Sequence, residues 1–158
     1  MNAAPANIQI RPARAEDVPL VLQLIRELAE YEKLLADVTA TEEQLRQTLF
    51  GSKPYAGALL AYSGDEPAGF AVYFFAYSTF LAKPTLYVED VFVRPRFRGI
   101  GIGRQLFEEM FRTAKREGCG RIEWSVLDWN APSIAFYERL GAKAQRQWIK
   151  YSLLTKNT

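Results

Sequence analysis

Histidine is missing altogether from the 158-residue chain. Its absence removes every Ser-His and Cys-His nucleophile pair and every His-ligated zinc or iron site. Cysteine occurs once, at Cys119, so no disulfide forms within the chain and no thiolate metal cluster can be built. No metal cofactor is expected, and such sparing cysteine use points to a reducing cytoplasm. Charge of one sign is also scarce: 20 Lys and Arg face 18 Asp and Glu, a formal +2. No basic run of the nucleic-acid type occurs. No apolar run approaches the ~20 residues of a membrane helix. Neither a nucleic acid nor a membrane is therefore an expected partner. Met1 to Asn7 lacks the basic and apolar blocks of a signal peptide and reads as a short flexible tail.

Hydrophobic residues make up 49% of the chain and charged residues 24%, the balance of a globular protein. A chain of this length buries ~70% of its unfolded surface, so residues 8–158 are expected to form a single domain. Ile8 to Arg11 alternates as a strand does. Asp17 is placed to cap a helix that aligns Val21, Leu24, Ile25 and Leu28. Thr41-Glu42-Glu43-Gln44 has the form of a capping box and opens a helix to about Phe50. Gly57–Tyr62 and Ala68–Tyr77 read as a hairpin around Ser63 to Pro67, and Leu86–Val93 as a further strand. A helix follows with Leu106, Phe107, Met110, Phe111 and Ala114 inward and Glu108, Glu109, Arg112, Lys115 and Arg116 outward. Gly118 or Gly120 ends it. Arg121–Leu127 reads as a strand, Asn130 as the cap of a short helix carrying Pro132, and Trp148–Leu154 as a last strand. Early strands joined by a hairpin and later ones joined through a helix predict a mixed sheet with helices on its faces.

The informative segment is Leu86-Tyr87-Val88-Glu89-Asp90-Val91-Phe92-Val93 followed by Arg94-Pro95-Arg96-Phe97-Arg98-Gly99-Ile100-Gly101-Ile102-Gly103-Arg104. Alternating glycines at a helix entrance let backbone approach a ligand closely. The first-turn N–H groups lack intrahelical acceptors and favour an anion. Strand, glycine loop and helix together predict a pyrophosphate cradle, and the arginines supply charge. The Gly-x-Gly-x-Gly spacing is neither that of dinucleotide folds nor that of a P-loop. By itself it is also compatible with a helix that merely begins on glycines.

The longer string Arg98-x-x-Gly101-x-Gly103 resembles the acetyl-CoA signature of the GNAT superfamily of N-acetyltransferases, and the element order resembles that fold over residues 8–154. Four stretches narrow the resemblance to the diamine (spermidine/spermine) and thialysine N-acetyltransferase branch. They are Arg26 to Glu32, Leu86 to Asp90 with Phe92-Val93, Arg98-Gly99 with Gly101-Ile102-Gly103 inside that string, and Trp129-Asn130 with Pro132-Ser133-Ile134 and Phe136-Tyr137. The resemblance implies an α/β (α+β) fold whose mixed central sheet has about six to seven strands and about four flanking helices. It implies acetyl-CoA as cosubstrate, a small-molecule amine as acceptor, and a homodimer. It places the pantetheine arm on the strand at Val91, Phe92 and Val93. The pyrophosphate falls on the N–H groups of Gly99, Ile100, Gly101, Ile102, Gly103 and Arg104, with Arg98 also among the coenzyme-binding residues. Asn130, Pro132, Ser133 and Tyr137 come along the coenzyme arm.

Acetyl transfer needs a neutral amine, and at pH 7 only about one in ~2,500 lysine-type amines is neutral. Without histidine, a carboxylate is the available proton acceptor. Glu89 and Asp90 are adjacent in an apolar strand, where charge is costly, and strand alternation puts them on opposite faces. The resemblance favours Glu89 as base, acting through water, and Tyr137 as the acid that protonates the leaving thiolate. Asp90 is either structural or substrate-lining. By the same resemblance Tyr31, Glu32, Glu123, Trp124 and Ser125 line the amine. Polyamine acetylators carry further acids where this chain has Tyr77-Ser78-Thr79-Phe80 and Gln145-Arg146-Gln147-Trp148, neither of which contains one. A short acceptor, thialysine or a lysine analogue, is therefore expected before a polyamine. A nucleotide-binding protein and a non-catalytic coenzyme-binding module are the competing classes. Cys119, with no base to activate it, reads as inert.

Overall fold

The structure of the protein, a computed structural model, describes residues 7–155. The described residues fall into two compact units that divide between Ser125 and Val126, taken in turn. Most of the expected N-terminal tail lies outside the described residues. Asn7 lies inside them, and its carbonyl accepts from the Gly64 N–H at 2.8 Å.

The first unit is a five-stranded mixed sheet in the order β1-β2-β3-β4-β5. The strands are β1 (Ile8–Pro12), β2 (Gly57–Ser63), β3 (Glu66–Ser78), β4 (Lys83–Val93) and β5 (Arg121–Trp124). The first three pairings are antiparallel, and β4–β5 is parallel across a helical crossover. α1 (Val18–Tyr31) lies on one face and shares a core with Ala58, Leu60, Phe70, Val72 and Phe92 through Val21, Leu24 and Leu28. α3 (Ile102–Arg116) covers the other face and touches all five strands. α2 (Glu42–Phe50) packs beside α1. Because both faces are covered, β2 is buried at successive positions, Ala58 to Ala61, and reads as a continuous apolar run.

Local chemistry accounts for most boundaries. The Thr41 box forms: Thr41 Oγ1 accepts from the Gln44 N–H at 3.2 Å and Gln44 Oε1 from the Thr41 N–H at 3.0 Å. The β2–β3 turn is Gly64-Asp65, with Gly64 at φ +60. α3 ends at Gly118, φ +69, where the Cys119 N–H reaches back to the Ala114 carbonyl at 2.9 Å.

Four expectations need correction. Asp17 heads α1 but does not cap it; its carboxylate turns back to the Arg14 N–H and to Arg11, both at 2.7 Å. Phe111 is 50% exposed, not inward, because at ~100° per residue it falls outside the arc centred between Ile102 and Phe107. β5 ends at Trp124 rather than Leu127. The sheet has five strands rather than six or seven, and no strand forms at Trp148–Leu154. Trp148 and Leu153 there are 75% and 95% exposed. Apolar character marks a candidate strand, but a strand also needs a neighbouring edge to supply its ladder.

The second unit, described over 126–155, contains α4 (Ala131–Arg139), the fourth α-helix among the described residues. Asn130 caps it as expected, its Oδ1 accepting from the Ser133 N–H at 3.3 Å, with Pro132 in the first turn.

Candidate active site

The centre of the first unit's site is a register shift. Val88 pairs with Tyr73, whereas Asp90 pairs with Val72, so Glu89 is an extra residue in β4. Such a bulge breaks the alternation of faces. Val72 belongs to the α1 core, so its partner Asp90 faces α1. Tyr73 bonds Thr113 of α3, so its partner Val88 faces α3. Glu89 is exposed at the bulge.

Asp90 shares its face with the end of α1. Its carboxyl is pushed up to about 6, first by burial, then by the neighbouring charges of Glu89 and Glu32. Glu32, which follows Tyr31 at the C-cap of α1, is also raised by burial. Three carboxyls thus gather where α1 ends against β4. Their mutual repulsion and desolvation are relieved by a proton or by a cation.

The same bulge ends the parallel ladder. β5 follows β4 only from Thr85↔Arg121 to Val88↔Trp124. Among the described residues, the β4 edge at Glu89–Val93 that faces away from β3 pairs with no strand. This is the stretch where Val91, Phe92 and Val93 were expected to hold a pantetheine arm. Just beyond it lies the glycine loop. Gly99 and Gly101 adopt φ +80 and +97, the left-handed region that glycine enters without strain. A Cβ at either would have no protein atom within 4 Å, leaving room above the backbone. Among the described residues, the N–H groups of Gly99, Ile100, Gly101, Ile102, Gly103 and Arg104 reach no backbone carbonyl. The first that does is Gln105, on Gly101 O at 3.1 Å. Six N–H groups at a helix N-terminus fit a diphosphate.

The arginines divide differently from expectation. Arg94 donates Nε and Nη2 to Glu27, each at 2.8 Å, and Nη1 to the Pro67 carbonyl at 2.9 Å. Arg96 pairs with Glu66 at 2.7 Å. Arg98 donates Nε to the Val93 carbonyl at 2.8 Å and places its guanidinium 4.9 Å from the Tyr31 ring centre and 5.7 Å from that of Phe92. Of the four, Arg104 is the one exposed at the first turn of α3 with no ion pair among the described residues.

On β5 the expected residues separate. Glu123 pairs with Arg121 at 2.5 Å. Trp124 packs edge-on against Phe107 of α3, ring centres 4.9 Å apart, on the face away from Glu123. Ser125 Oγ lies 2.8 Å from the hydroxyl of Tyr87. Tyr87 was not singled out from the sequence. It stacks on Phe74 at 5.1 Å and pairs with Glu123 on the Asp90 side of the sheet. Its signal was present: it stands two residues before Glu89 in the one strand that carries two acids.

In the second unit, Asn130 is buried, while Ser133 and Tyr137 are half-buried one helical turn apart on α4 and Pro132 is exposed. Cys119 is half-buried, and burial pushes its thiol up, away from reactivity.

Strand, bulge, glycine loop and helix occur in a known order. A model of the acetyltransferase (GNAT) family matches residues 21–142. The chain belongs to the GNAT acetyltransferase family. It is an acetyltransferase. A thialysine N-epsilon-acetyltransferase from Sus scrofa is 38% identical over 146 residues, covering 87% of this chain and 85% of its own. An L-ornithine N5-acetyltransferase from Arabidopsis thaliana is 31% identical, covering 89% and 81%. Among solved structures, an integron cassette protein from the mobile metagenome of V. cholerae superposes with a TM-score of 0.78 at 24% identity, over 94% and 93% of the two chains.

Proposed function

We propose that this GNAT enzyme transfers the acetyl group of acetyl-CoA to a primary amine of a short amino acid or diamine, of the thialysine or ornithine type, in a ternary complex. The observation that carries the reading is the conjunction at β4. An edge freed by the bulge leads, past one short turn at Pro95–Phe97, to a loop of six N–H groups with no carbonyl partner among the described residues, and three crowded carboxyls sit beside the edge. The names of the relatives support the acceptor class: one acts on thialysine, another on L-ornithine. Polyamines are the alternative acceptors. The segments Tyr77–Phe80 and 145–148 offer a long polycation no distal carboxylate.

Acetyl-CoA supplies an activated thioester. The N–H groups of residues 99–104 and the Arg104 side chain hold its diphosphate, and the backbone of Val91 and Val93 takes its arm. Asn130, Pro132 and Ser133 extend that binding in residues 126–155. Val91 N–H is the donor proposed for the developing oxyanion. Asp90 and Glu32 bind the incoming ammonium and lower the cost of bringing it in. Glu89 accepts its proton through water, and Tyr137 donates one to the departing thiolate. Asp90 as the base is a second reading, favoured by its carboxyl lying near 6, close to working pH. The enzyme is proposed to work as a homodimer of residues 8–158, which light scattering tests directly.

The deciding experiment is an amine panel containing thialysine, ornithine, diamines and spermidine, read by thiol released from acetyl-CoA. Turnover of thialysine or ornithine ahead of spermidine supports the reading. Spermidine as the leading acceptor overturns the acceptor class, and no coenzyme turnover overturns the whole.

A further inference from the structure

Arg98 opens the coenzyme-loop motif, yet its side chain turns away from the loop. Nε donates to the Val93 carbonyl at 2.8 Å, which fixes the guanidinium plane. The plane lies 4.9 Å from the ring centre of Tyr31, the last residue of α1, and 5.7 Å from that of Phe92. The two rings are themselves 6.5 Å apart. Tyr31 immediately precedes Glu32, one of the carboxyls that crowds Asp90. One side chain therefore connects the coenzyme loop, the end of β4 and the end of α1. Arg94 and Arg96 are held instead by carboxylates, those of Glu27 and Glu66.

We propose that Arg98 is a positioning residue, tying the coenzyme loop to the acceptor end of α1 by holding Tyr31, and not a phosphate ligand. The inference rests on the proposed function, since it needs coenzyme on residues 99–104 and amine beside Tyr31, Glu32 and Asp90. When coenzyme orders the loop, it fixes the backbone of Arg98 and thereby the pose of Tyr31. Coenzyme binding then favours amine binding, and linkage requires the reverse with equal strength. A planar guanidinium is suited to this task, stacking on two rings while spending its Nε on a carbonyl, and an ammonium is not.

Arg98→Lys separates the roles, because it keeps the charge a phosphate would use and loses both the plane and the Nε donor. The dissociation constant of acetyl-CoA by calorimetry, and KM for thialysine, are measured for wild type, Arg98→Lys, Tyr31→Leu, Tyr31→Phe and the double variants. We expect Arg98→Lys to raise the amine KM by about fivefold, the scale of one cation–π contact, while acetyl-CoA affinity stays within about twofold. Arg98→Lys should add nothing on a Tyr31→Leu background and should still act on Tyr31→Phe, which keeps the ring. Weakened acetyl-CoA affinity with an unchanged amine KM overturns the proposal and makes Arg98 a phosphate ligand. Effects that simply add, or a silent Arg98→Lys, overturn it equally. If Arg98→Lys failed to fold, Arg98→Gln on the wild-type and Tyr31→Leu backgrounds would decide. A raised amine KM that vanishes on Tyr31→Leu, with acetyl-CoA affinity unchanged, supports the proposal, and weakened acetyl-CoA affinity overturns it. A wild-type chain that bound no acetyl-CoA would instead overturn the proposed function.

Discussion

Val88 and Asp90 stand two residues apart on one strand and face opposite sides of the sheet, because Val88 pairs with Tyr73 and Asp90 with Val72. An unbroken strand would put both on one face. The bulge at Glu89 therefore both brings Asp90 to the end of α1 and ends the β5 ladder. One inserted residue shapes the acceptor side and the coenzyme side together.

The Asp90 carboxyl lies at about 6 in the folded chain, against 3.8 for the free group. Between those values the folded state binds more protons than the unfolded state, so this group lowers stability as pH rises through that window. Asp90→Asn removes the charge. Urea unfolding should show it more stable than wild type by about 1–3 kcal/mol at pH 8, with the gain largely gone by pH 4. A gain independent of pH would mean the ionised carboxylate is not its source. The same variant should lose amine affinity if Asp90 meets the ammonium.

Glu89→Gln keeps size and removes the proposed proton acceptor. Its kcat/KM defect, on the ~10²–10⁴-fold scale of general bases, should shrink as pH rises and more amine is neutral without help. If Asp90 is the base instead, Glu89→Gln will keep an acidic limb and move it to lower pH, because the Glu89 charge helps to raise Asp90, whereas Asp90→Asn will lose the limb near pH 6.

Tyr137→Phe should lower kcat with little change in acetyl-CoA affinity, and higher pH should not rescue it. Full kcat with chemistry rate-limiting would make Tyr137 a packing residue of α4.

Gly101 sits at φ +97 with open space above it. Gly101→Ala should cost about 1 kcal/mol in stability from the backbone alone. Gly101→Asp should in addition raise the acetyl-CoA KM well beyond the alanine variant, by setting a negative charge against the diphosphate. Equal KM values for the two would remove the diphosphate from this loop.

The Arg94–Glu27 pair joins α1 to the end of β4, with side chains only 15% and 30% exposed. The Arg94 guanidinium holds the Glu27 carboxyl below its usual range. The pair's contribution is complete above the free carboxylate pKa and is lost as pH falls through the depressed value. Glu27→Gln should destabilise by about 1–3 kcal/mol at pH 7, and by less near pH 3 in thermal unfolding.

Sequence patterning located the elements whose signals are local. The Thr41 box, the Gly64 turn, the Gly118 end of α3 and the Asn130 cap each depend on residues a few positions apart. What it missed depends on distant partners. The β4 bulge exists because β3 and β4 pair out of step, which no periodicity within β4 records. The end of β5 at Trp124 follows from that bulge. The apolar character of Trp148–Leu154 gave no sign of whether an edge would receive it. The glycines that enter the left-handed region were legible from the pattern at the helix entrance, whereas the contacts of Arg94 with Glu27, Arg96 with Glu66 and Arg98 with Tyr31 join residues far apart in the chain and left no local signal.

The strand order also sets an assembly sequence. β2, β3 and β4 are neighbours in both chain and space, joined by turns of a few residues. β1 pairs with β2 across the whole of α1 and α2, and β5 reaches β4 only after α3 has crossed the sheet. Loop-closure entropy makes the β2–β4 meander the earliest pairing to form and the β4–β5 pairing a late one. The glycine loop and α3 lie between those last two strands, so the proposed coenzyme cradle becomes complete only after the meander has formed and β5 has closed onto β4.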